Sequence, residues 1–265
     1  MTFRSDLMFM VVLLLVALGL FVAMVGLLEV GRRIGLRRMQ RDPESAREGF
    51  GASEGAIFAL LGLLIAFTFS GAAERFDRRR HLIVEEANAI GTAYLRVDLV
   101  APDLQPALRD EFRRYLAARL DVYRRIPDMV AVEAALTEVD RLQKDIWNRA
   151  IAATRAPGSH PQAAVLFLPA LNAMIDITTT RTMATRFHPP VIIYILLILL
   201  ALVGGLLAGR AMATARTRSW VHVVSFAAAM AISLYVILEL EYPRLGLIRV
   251  DTFDDALGEL TQLMK

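Results

Sequence analysis

Residues 55–73 read GAIFALLGLLIAFTFSGAA and carry no charged side chain, and residues 74–80 follow directly as ERFDRRR. No proline separates the two stretches. Apolar residues then continue at helical spacing at Phe76, Ile83, Ile90 and Val97. The sequence therefore predicts one helix from residue 53 to about residue 96, roughly 65 Å long. Since a hydrocarbon core is about 30 Å thick, we expect this helix to cross a bilayer and to extend far beyond it.

Three further blocks of the chain also lack charge, and hydrophobic residues make up 56% of the whole sequence. The four blocks are residues 7–28, 55–73, 189–209 and 219–238. Each is close to the roughly 20 residues that a membrane-spanning helix needs, and in lipid only a helix or a closed barrel satisfies its own backbone hydrogen bonds. The sequence predicts an all-α integral membrane protein with four transmembrane helices. The first block ends in a basic run without a cleavage pattern, so we expect a mature membrane helix there.

The segment between the second and third membrane helices has the pattern of a helical domain. Apolar spacing and proline breaks predict amphipathic helices at residues 103–126, 129–156 and 162–188. With the far end of the second helix they would form an extramembrane helical bundle. The predicted domains are 1–73, a first transmembrane pair with a basic connecting loop; 74–188, the extramembrane helical domain; 189–242, a second transmembrane pair; and 243–265, an acidic C-terminal tail.

Small residues predict where the membrane helices approach one another closely. Gly19 and Gly26 share one face of the first helix, and the third membrane helix contains Gly204, Gly205 and Gly209.

Composition and motifs argue against several classes of protein. The net charge of +3 arises from basic residues interleaved with 27 acids, and no nucleic-acid-binding motif is present, so we expect no nucleic-acid partner. The four histidines are scattered, and the adjacent carboxylates of Glu85 and Glu86 diverge by about 100° on a helix. Phosphate loops and dinucleotide fingerprints are absent from the sequence. We therefore expect no catalytic residues, no metal site, no cofactor and no enzymatic activity.

Two sets of residues are candidates for function. Within the membrane segment, Phe58, Gly62, Ile65 and Phe69 share one face of the second helix and are the candidate pore constriction. The alternative is an ordinary packing or lipid-facing surface. Beyond the membrane, one polar stripe and a second polar group are candidates for the lining of a vestibule: Glu85, Asn88, Thr92 and Arg96, with Asn172, Asp176 and Arg181. The alternative is a polar network that ties neighbouring helices together.

Charged rings and apolar constrictions are the usual parts of an ion channel. Four membrane helices in one copy do not easily enclose a pore, so the first hypothesis is a homo-oligomeric ion channel with the second helix innermost. Anions are the expected ion, because Arg96 and the helix-borne amides would attract them. The expected partners are further copies of the chain, the lipid bilayer and inorganic ions. The alternative is a non-conducting structural or signalling membrane protein whose helical domain binds a partner.

Three stretches, LLGLLIAFTFS at 60–70, RFDRRR at 75–80 and VEEANAIGTAYLR at 84–96, resemble the bacterial bestrophin-like domain family. Leu171 and Asn172, with Ile175, Asp176 and Arg181, are similar to its second motif, and the resemblance covers residues 52–242. It implies a four-helix membrane protein of the bacterial inner (plasma) membrane, related to bestrophins, which are pentameric chloride channels. Bestrophins keep their large domain in the cytoplasm, whereas nine arginines in the two short loops favour a cytoplasmic location of those loops, so both orientations stay open.

Overall fold

The computed structural model describes residues 2–41, 51–126, 128–214, 219–250 and 255–264. Every regular element in these ranges is helical, so the all-α prediction is confirmed. The α-helices are α1 Thr2–Arg41, α2 Gly51–Leu95, α3 Gln105–Arg124, α4 Met129–Thr154, α5 Ala163–Arg186, α6 Val191–Ala211, α7 Trp220–Glu241 and α8 Asp255–Leu263. A 3₁₀-helix, Arg96–Leu99, follows α2 directly.

Four helices are long and apolar enough to cross a membrane, namely α1, α2, α6 and α7. This confirms the predicted four transmembrane helices. Large apolar side chains are exposed along them, for example Leu14 at 61% and Leu199 at 54%. Such exposed surfaces are expected of helices that contact lipid, because hydrocarbon is their solvent.

The first helix is longer than its apolar block predicted. The sequence placed its end at Leu28 and a basic loop after it, but α1 continues to Arg41. Nε of Arg33 donates to Oε1 of Glu29 at 2.8 Å, an i,i+4 ion pair that supports the added turns. The predicted loop is therefore helical over residues 29–41, and its remainder at 42–50 lies outside the described residues.

The described chain divides into two compact units. The membrane unit comprises Met8–Glu74 and His188–Tyr242, and the helical unit comprises Arg75–Phe187 and Pro243–Lys265 together with the first residues of the chain. The predicted C-terminal tail thus belongs to the helical unit. Its helix α8 places Leu257 in the core, and Oη of Tyr94 donates to the carbonyl of Met264 at 3.3 Å.

The core of the helical unit is built from the apolar stripes of α2, α3, α4 and α5. The ring of Phe112 on α3 stacks on that of Phe167 on α5 at 6.4 Å and meets Tyr94 of α2 edge-on at 5.8 Å. These three side chains are at most 4% exposed. At the start of α4, Asp128 accepts a hydrogen bond from the backbone N–H of Ala131 at 3.1 Å and caps the helix.

The membrane unit is held together partly by close approach of backbones between α1 and α6. A Cβ built on Gly31 would overlap the carbonyl of Leu206, and a Cβ built on Gly209 would overlap the carbonyl of Leu28. The close contact predicted at Gly209 is therefore present. On α1, however, the contact is made near its C-terminal end, since a Cβ at Gly19 or Gly26 would meet nothing within 4 Å.

Replacing Gly209 by Ala adds a methyl group where the Leu28 carbonyl already lies, so we expect a loss of about 1–3 kcal/mol of stability. Gly19→Ala is the matched control, because the same methyl group enters open space. Thermal unfolding in a single detergent, followed by circular dichroism, compares the two variants. Equal midpoints would contradict the close packing of α1 and α6.

Candidate functional site

A fully buried carboxylate lies in the helical unit, on α2. The side chain of Glu86 accepts hydrogen bonds from Nε of Arg119 on α3 and from Nη1 of Arg181 on α5. The hydroxyl of Tyr123, one turn after Arg119, donates to its second oxygen at 3.2 Å. Glu86 and Arg119 are 0% and 1% exposed, and Arg181 is 4% exposed. One acidic side chain therefore joins three helices.

These charged residues occupy positions that the helical period assigns to the core. Glu86 lies three residues after Ile83 and four before Ile90, and both isoleucines are buried. Arg119 lies four residues after the buried Tyr115. A charge buried in this way is costly unless it is paired and hydrogen-bonded. The pairing of Glu86 with two guanidinium groups meets that requirement.

The charged groups of the cluster shift the pKa values of their neighbours. Burial alone would raise the pKa of the Glu86 carboxyl, but Arg119 and Arg181 outweigh it and lower the pKa below its ordinary value. Burial and the nearby Glu86 raise the pKa of the Tyr123 hydroxyl, which therefore stays protonated and able to donate. Glu86 is accordingly ionised, and the cluster contains more positive than negative charge.

The excess positive charge faces an aromatic ring. The guanidinium carbon of Arg181 lies 3.8 Å from the centroid of the Tyr123 ring, and that of Arg244 lies 4.8 Å from it. Cations over aromatic rings are stabilised by the ring quadrupole, more strongly when they are shielded from water. Nη1 of Arg119 is buried and has no hydrogen-bond partner within the described part of the chain.

A second buried polar cluster lies between α3, α4 and α5. The hydroxyls of Tyr115 and Thr178 are 3.0 Å apart, and Nε2 of Gln143 donates to both at 3.3 and 3.2 Å. Thr178 itself donates to the carbonyl of Met174, so Tyr115 is the donor of the pair. Both clusters hold helices together.

The polar residues that the sequence singled out on α2 lie on its exposed side. Glu85, Asn88 and Thr92 are exposed in the single chain. Arg96, in the 3₁₀-helix, is half-buried and donates to the carbonyl of Leu166. The stripe is therefore not the buried network between helices, which is formed by Glu86 instead.

The second predicted polar group, on α5, contains both exposed and buried residues. Nδ2 of Asn172 donates to Oδ2 of Asp176 at 2.9 Å, and both residues are exposed. Arg181 is buried against Glu86. Two residues of this group are therefore available at a surface of the single chain, and the third belongs to the core.

The four residues of the candidate constriction also differ in exposure. Phe58 contacts Phe226 of α7 edge-on, with ring centroids 6.1 Å apart, and Ile65 lines a small internal pocket beside α6 and α7. Phe69 is 45% exposed, and Gly62 is exposed with open space beside it. Only Gly62 and Phe69 therefore lie on a surface that another subunit or a pore could meet.

Metal ligands do not cluster in the described residues, where no group of three or more His, Asp or Glu side chains could hold an ion. Sequence reasoning did not single out Glu86 or Arg119 as a pair. The signal that could have found them is a charged residue inside an otherwise apolar helical stripe, since such a residue needs a buried partner.

Comparison with known proteins is consistent with this architecture. A family model described as a bestrophin-like domain matches residues 18–253. No curated protein matches the chain by sequence. A crystal structure of a bacterial bestrophin homologue from Klebsiella pneumoniae, in a point-mutated form, is similar with a TM-score of 0.65 and 15% identity, covering 92% of this chain and 98% of that chain. A crystal structure of another mutated membrane protein gives a TM-score of 0.66 and 13% identity, covering 92% and 97%. At these identities the likeness shows the fold.

Glu86→Gln removes the buried negative charge and leaves two buried guanidinium groups without it, so we expect a loss of about 3–5 kcal/mol of stability. Glu85→Gln, one residue earlier and exposed, should change stability by less than about 0.5 kcal/mol. Denaturant or thermal unfolding of both variants gives the comparison. A similar loss in both would contradict the assignment of Glu86 as the buried partner.

The same pair of variants has a pH signature. Because the pKa of Glu86 is lowered from 4.5 in the folded protein, its contribution is complete above that pH and is lost as the pH falls through the lowered value. The stability advantage of the wild type over Glu86→Gln should therefore be constant near neutral pH and shrink in acid. An advantage that grows in acid would contradict this.

Proposed function

Because the chain belongs to the bestrophin-like domain family, we propose that it assembles into a ring of identical subunits in the bacterial inner membrane and conducts ions through a central pore lined by α2. The observation that carries the proposal is the exposed polar side of α2, at Glu85, Asn88 and Thr92. A ring with α2 innermost would turn these side chains toward a hydrated axis. We assign no catalytic role to the chain.

The apolar constriction of the proposed pore lies at Phe69. Phe58 and Ile65 pack within their own subunit and have no part in it. Gly62, two turns before Phe69, adds no side chain and keeps the pore wide at its level. A ring of exposed aromatic side chains at one depth is the type of apolar constriction that gates by excluding water.

Among the predicted vestibule residues, the charges that remain exposed support cations as the conducted ion. The expectation of anions depended on Arg96 and the helix-borne amides, and Arg181 was a further cation of the predicted vestibule. Arg96 hydrogen-bonds a backbone carbonyl and Arg181 is buried. Of the residues predicted for the vestibule, Glu85 and Asp176 remain as exposed charges, and rings of acidic side chains favour cations. We therefore propose cation selectivity, with anion selectivity as the outcome that the test below distinguishes.

The proposal requires a closed ring of subunits and an apolar constriction at Phe69. Native mass spectrometry of detergent-purified protein should show a closed ring of identical subunits. Phe69→Ala should increase single-channel conductance in planar bilayers, because it removes the aromatic side chain that forms the apolar constriction. Leu199→Ala is the control, since Leu199 is also exposed but lies on α6, which does not line the proposed pore. A monomer or dimer in several mild detergents, or equal effects of both substitutions, would overturn the model.

Selectivity is tested by the reversal potential in a potassium chloride gradient. Glu85→Gln removes one carboxylate per subunit from the proposed vestibule, so the potential should move away from the potassium value toward zero. Glu138→Gln on α4 is a control with the same change in charge at an exposed position paired with Arg141. A wild-type potential near the chloride value would assign the pore to anions.

A further inference from the structure

Two neighbouring apolar side chains at the start of α4, Met129 and Val130, are exposed. Met129 is 67% exposed and Val130 is 82% exposed, more than Leu14 or Leu199 on the membrane helices. Both residues belong to the first turn of α4, which begins at Met129. Exposed apolar surface of this kind marks a contact with a protein or with a membrane. The position of these two residues, the α4 pair, indicates which of the two they meet.

The turn that carries the α4 pair is fixed by hydrogen bonds of the backbone. The N–H of Asp128 donates to the carbonyl of Arg125 at 2.8 Å, and the Asp128 side chain accepts from the N–H of Ala131 at 3.1 Å. These bonds join the end of α3 to the first turn of α4. The exposure of the α4 pair is therefore a feature of a hydrogen-bonded turn.

Three junctions connect the helical unit to the membrane helices. The chain enters or leaves the unit at Arg75, Phe187 and Pro243. Arg79 on α2 donates from Nε to the carbonyl of Ala184 at 3.1 Å and from Nη2 to the carbonyl of Phe187 at 3.0 Å. The junctions of α2 and α5 therefore lie side by side, at one end of the helical unit.

The turn between α3 and α4 lies near the third junction. The guanidinium carbon of Arg244 is 4.8 Å from the ring centroid of Tyr123, and Arg244 directly follows the junction at Pro243. Tyr123 is the residue before Arg124, where α3 ends, and α4 begins at Met129. The α4 pair is therefore at the end of the helical unit to which the membrane helices are joined.

The α4 pair is on a different side of α2 from the proposed vestibule. Arg119 of α3 binds Glu86, which is on the buried side of α2. The vestibule is proposed for the exposed side, at Glu85 and Asn88. A contact made by the turn between α3 and α4 is therefore compatible with a hydrated axis along α2, and it does not require one.

Val165 provides a comparison at the opposite end of the helical unit. It is 74% exposed and lies in the first turn of α5. The carbonyl of the next residue, Leu166, accepts a hydrogen bond from Arg96, which follows the far end of α2. Arg96 is about 30 Å along the helix from the junction at Arg75, at 1.5 Å per residue. Residues 130 and 165 are thus two exposed valines, one near the junctions and one far from them.

We propose that the α4 pair inserts into the interfacial layer of the bilayer, so that its partner is a lipid surface. There the apolar side chains leave water while the polar groups of the turn remain among the headgroups. Because the unit is already tethered by the membrane helices, insertion is an intramolecular step and needs little intrinsic affinity.

The charges of the turn indicate that apolar insertion, rather than attraction to anionic lipid, drives this contact. Arg124 and Arg125 are balanced in formal charge by Asp121 and Asp128. The contact should therefore form on a bilayer of phosphatidylcholine, which has no net charge.

The test uses spin labels, because the chain contains no cysteine and one added cysteine can be labelled alone. Val130→Cys and Val165→Cys are labelled with a nitroxide and reconstituted in phosphatidylcholine liposomes. Electron paramagnetic resonance then measures the accessibility of each label to oxygen, which concentrates in lipid, and to a water-soluble nickel chelate. The ratio of oxygen to nickel accessibility should be several-fold higher at residue 130 than at residue 165.

Equal ratios at the two positions would overturn the proposal, because the α4 pair would then lie in water. Low accessibility to both reagents at residue 130 would also overturn it and would assign the α4 pair to a protein contact.

A second substitution tests the apolar character of the contact. Met129→Asp, added to Val130→Cys, should lower the ratio, because a carboxylate is costly in the apolar part of the bilayer. Leu166→Asp, added to Val165→Cys, is the matched control and should leave the ratio unchanged. Equal effects of the two aspartates would contradict insertion of the α4 pair. None of these outcomes depends on whether the protein conducts ions.

Discussion

The carboxylate of Glu86 fixes the position of α2 in the helical unit. Apolar packing tolerates small rotations of a helix, but hydrogen bonds from Arg119 and Arg181 do not, because each requires a defined direction and distance. Adjacent residues on a helix differ by about 100°, so a rotation that exchanged Glu86 for Glu85 would bury the wrong carboxylate and turn the polar side of α2 inward. The ion cluster thus determines which face of α2 is exposed, and the proposed pore depends on that face.

The membrane unit is held together by different forces. Lipid tails are as apolar as leucine, so the hydrophobic effect does not drive its helices together, and close packing has to do so. Gly31 and Gly209 allow the backbones of α1 and α6 to approach until carbonyl groups occupy the space of absent side chains. The helical unit is held together by directional charge pairs and the membrane unit by close backbone contacts. This difference reflects their solvents, which are water for the first and hydrocarbon for the second.

The helices could be predicted closely from the sequence, and the buried site could not. Hydropathy and prolines located α4, α6 and α7 to within a few residues, because length and composition suffice for such segments. The predicted end of α1 was wrong because the fall in hydropathy was interpreted as the end of the helix. A helix can continue into water when its charged side chains form ion pairs. Periodicity identified the polar stripe of α2, which is exposed, but it did not distinguish Glu86 as a buried charge. It contains no information on contacts between α2 and α3, and therefore none on the partnership of Glu86 and Arg119.

The place of α8 in the chain has a consequence for how the protein is made. This helix follows α6 and α7 in the sequence, yet Leu257 and Met264 complete the core of a unit whose other helices precede them. The surface on α2 and α3 that binds α8 therefore stays uncovered until α6 and α7 have been synthesised. The helical unit cannot be completed before the chain has made every helix of the membrane unit.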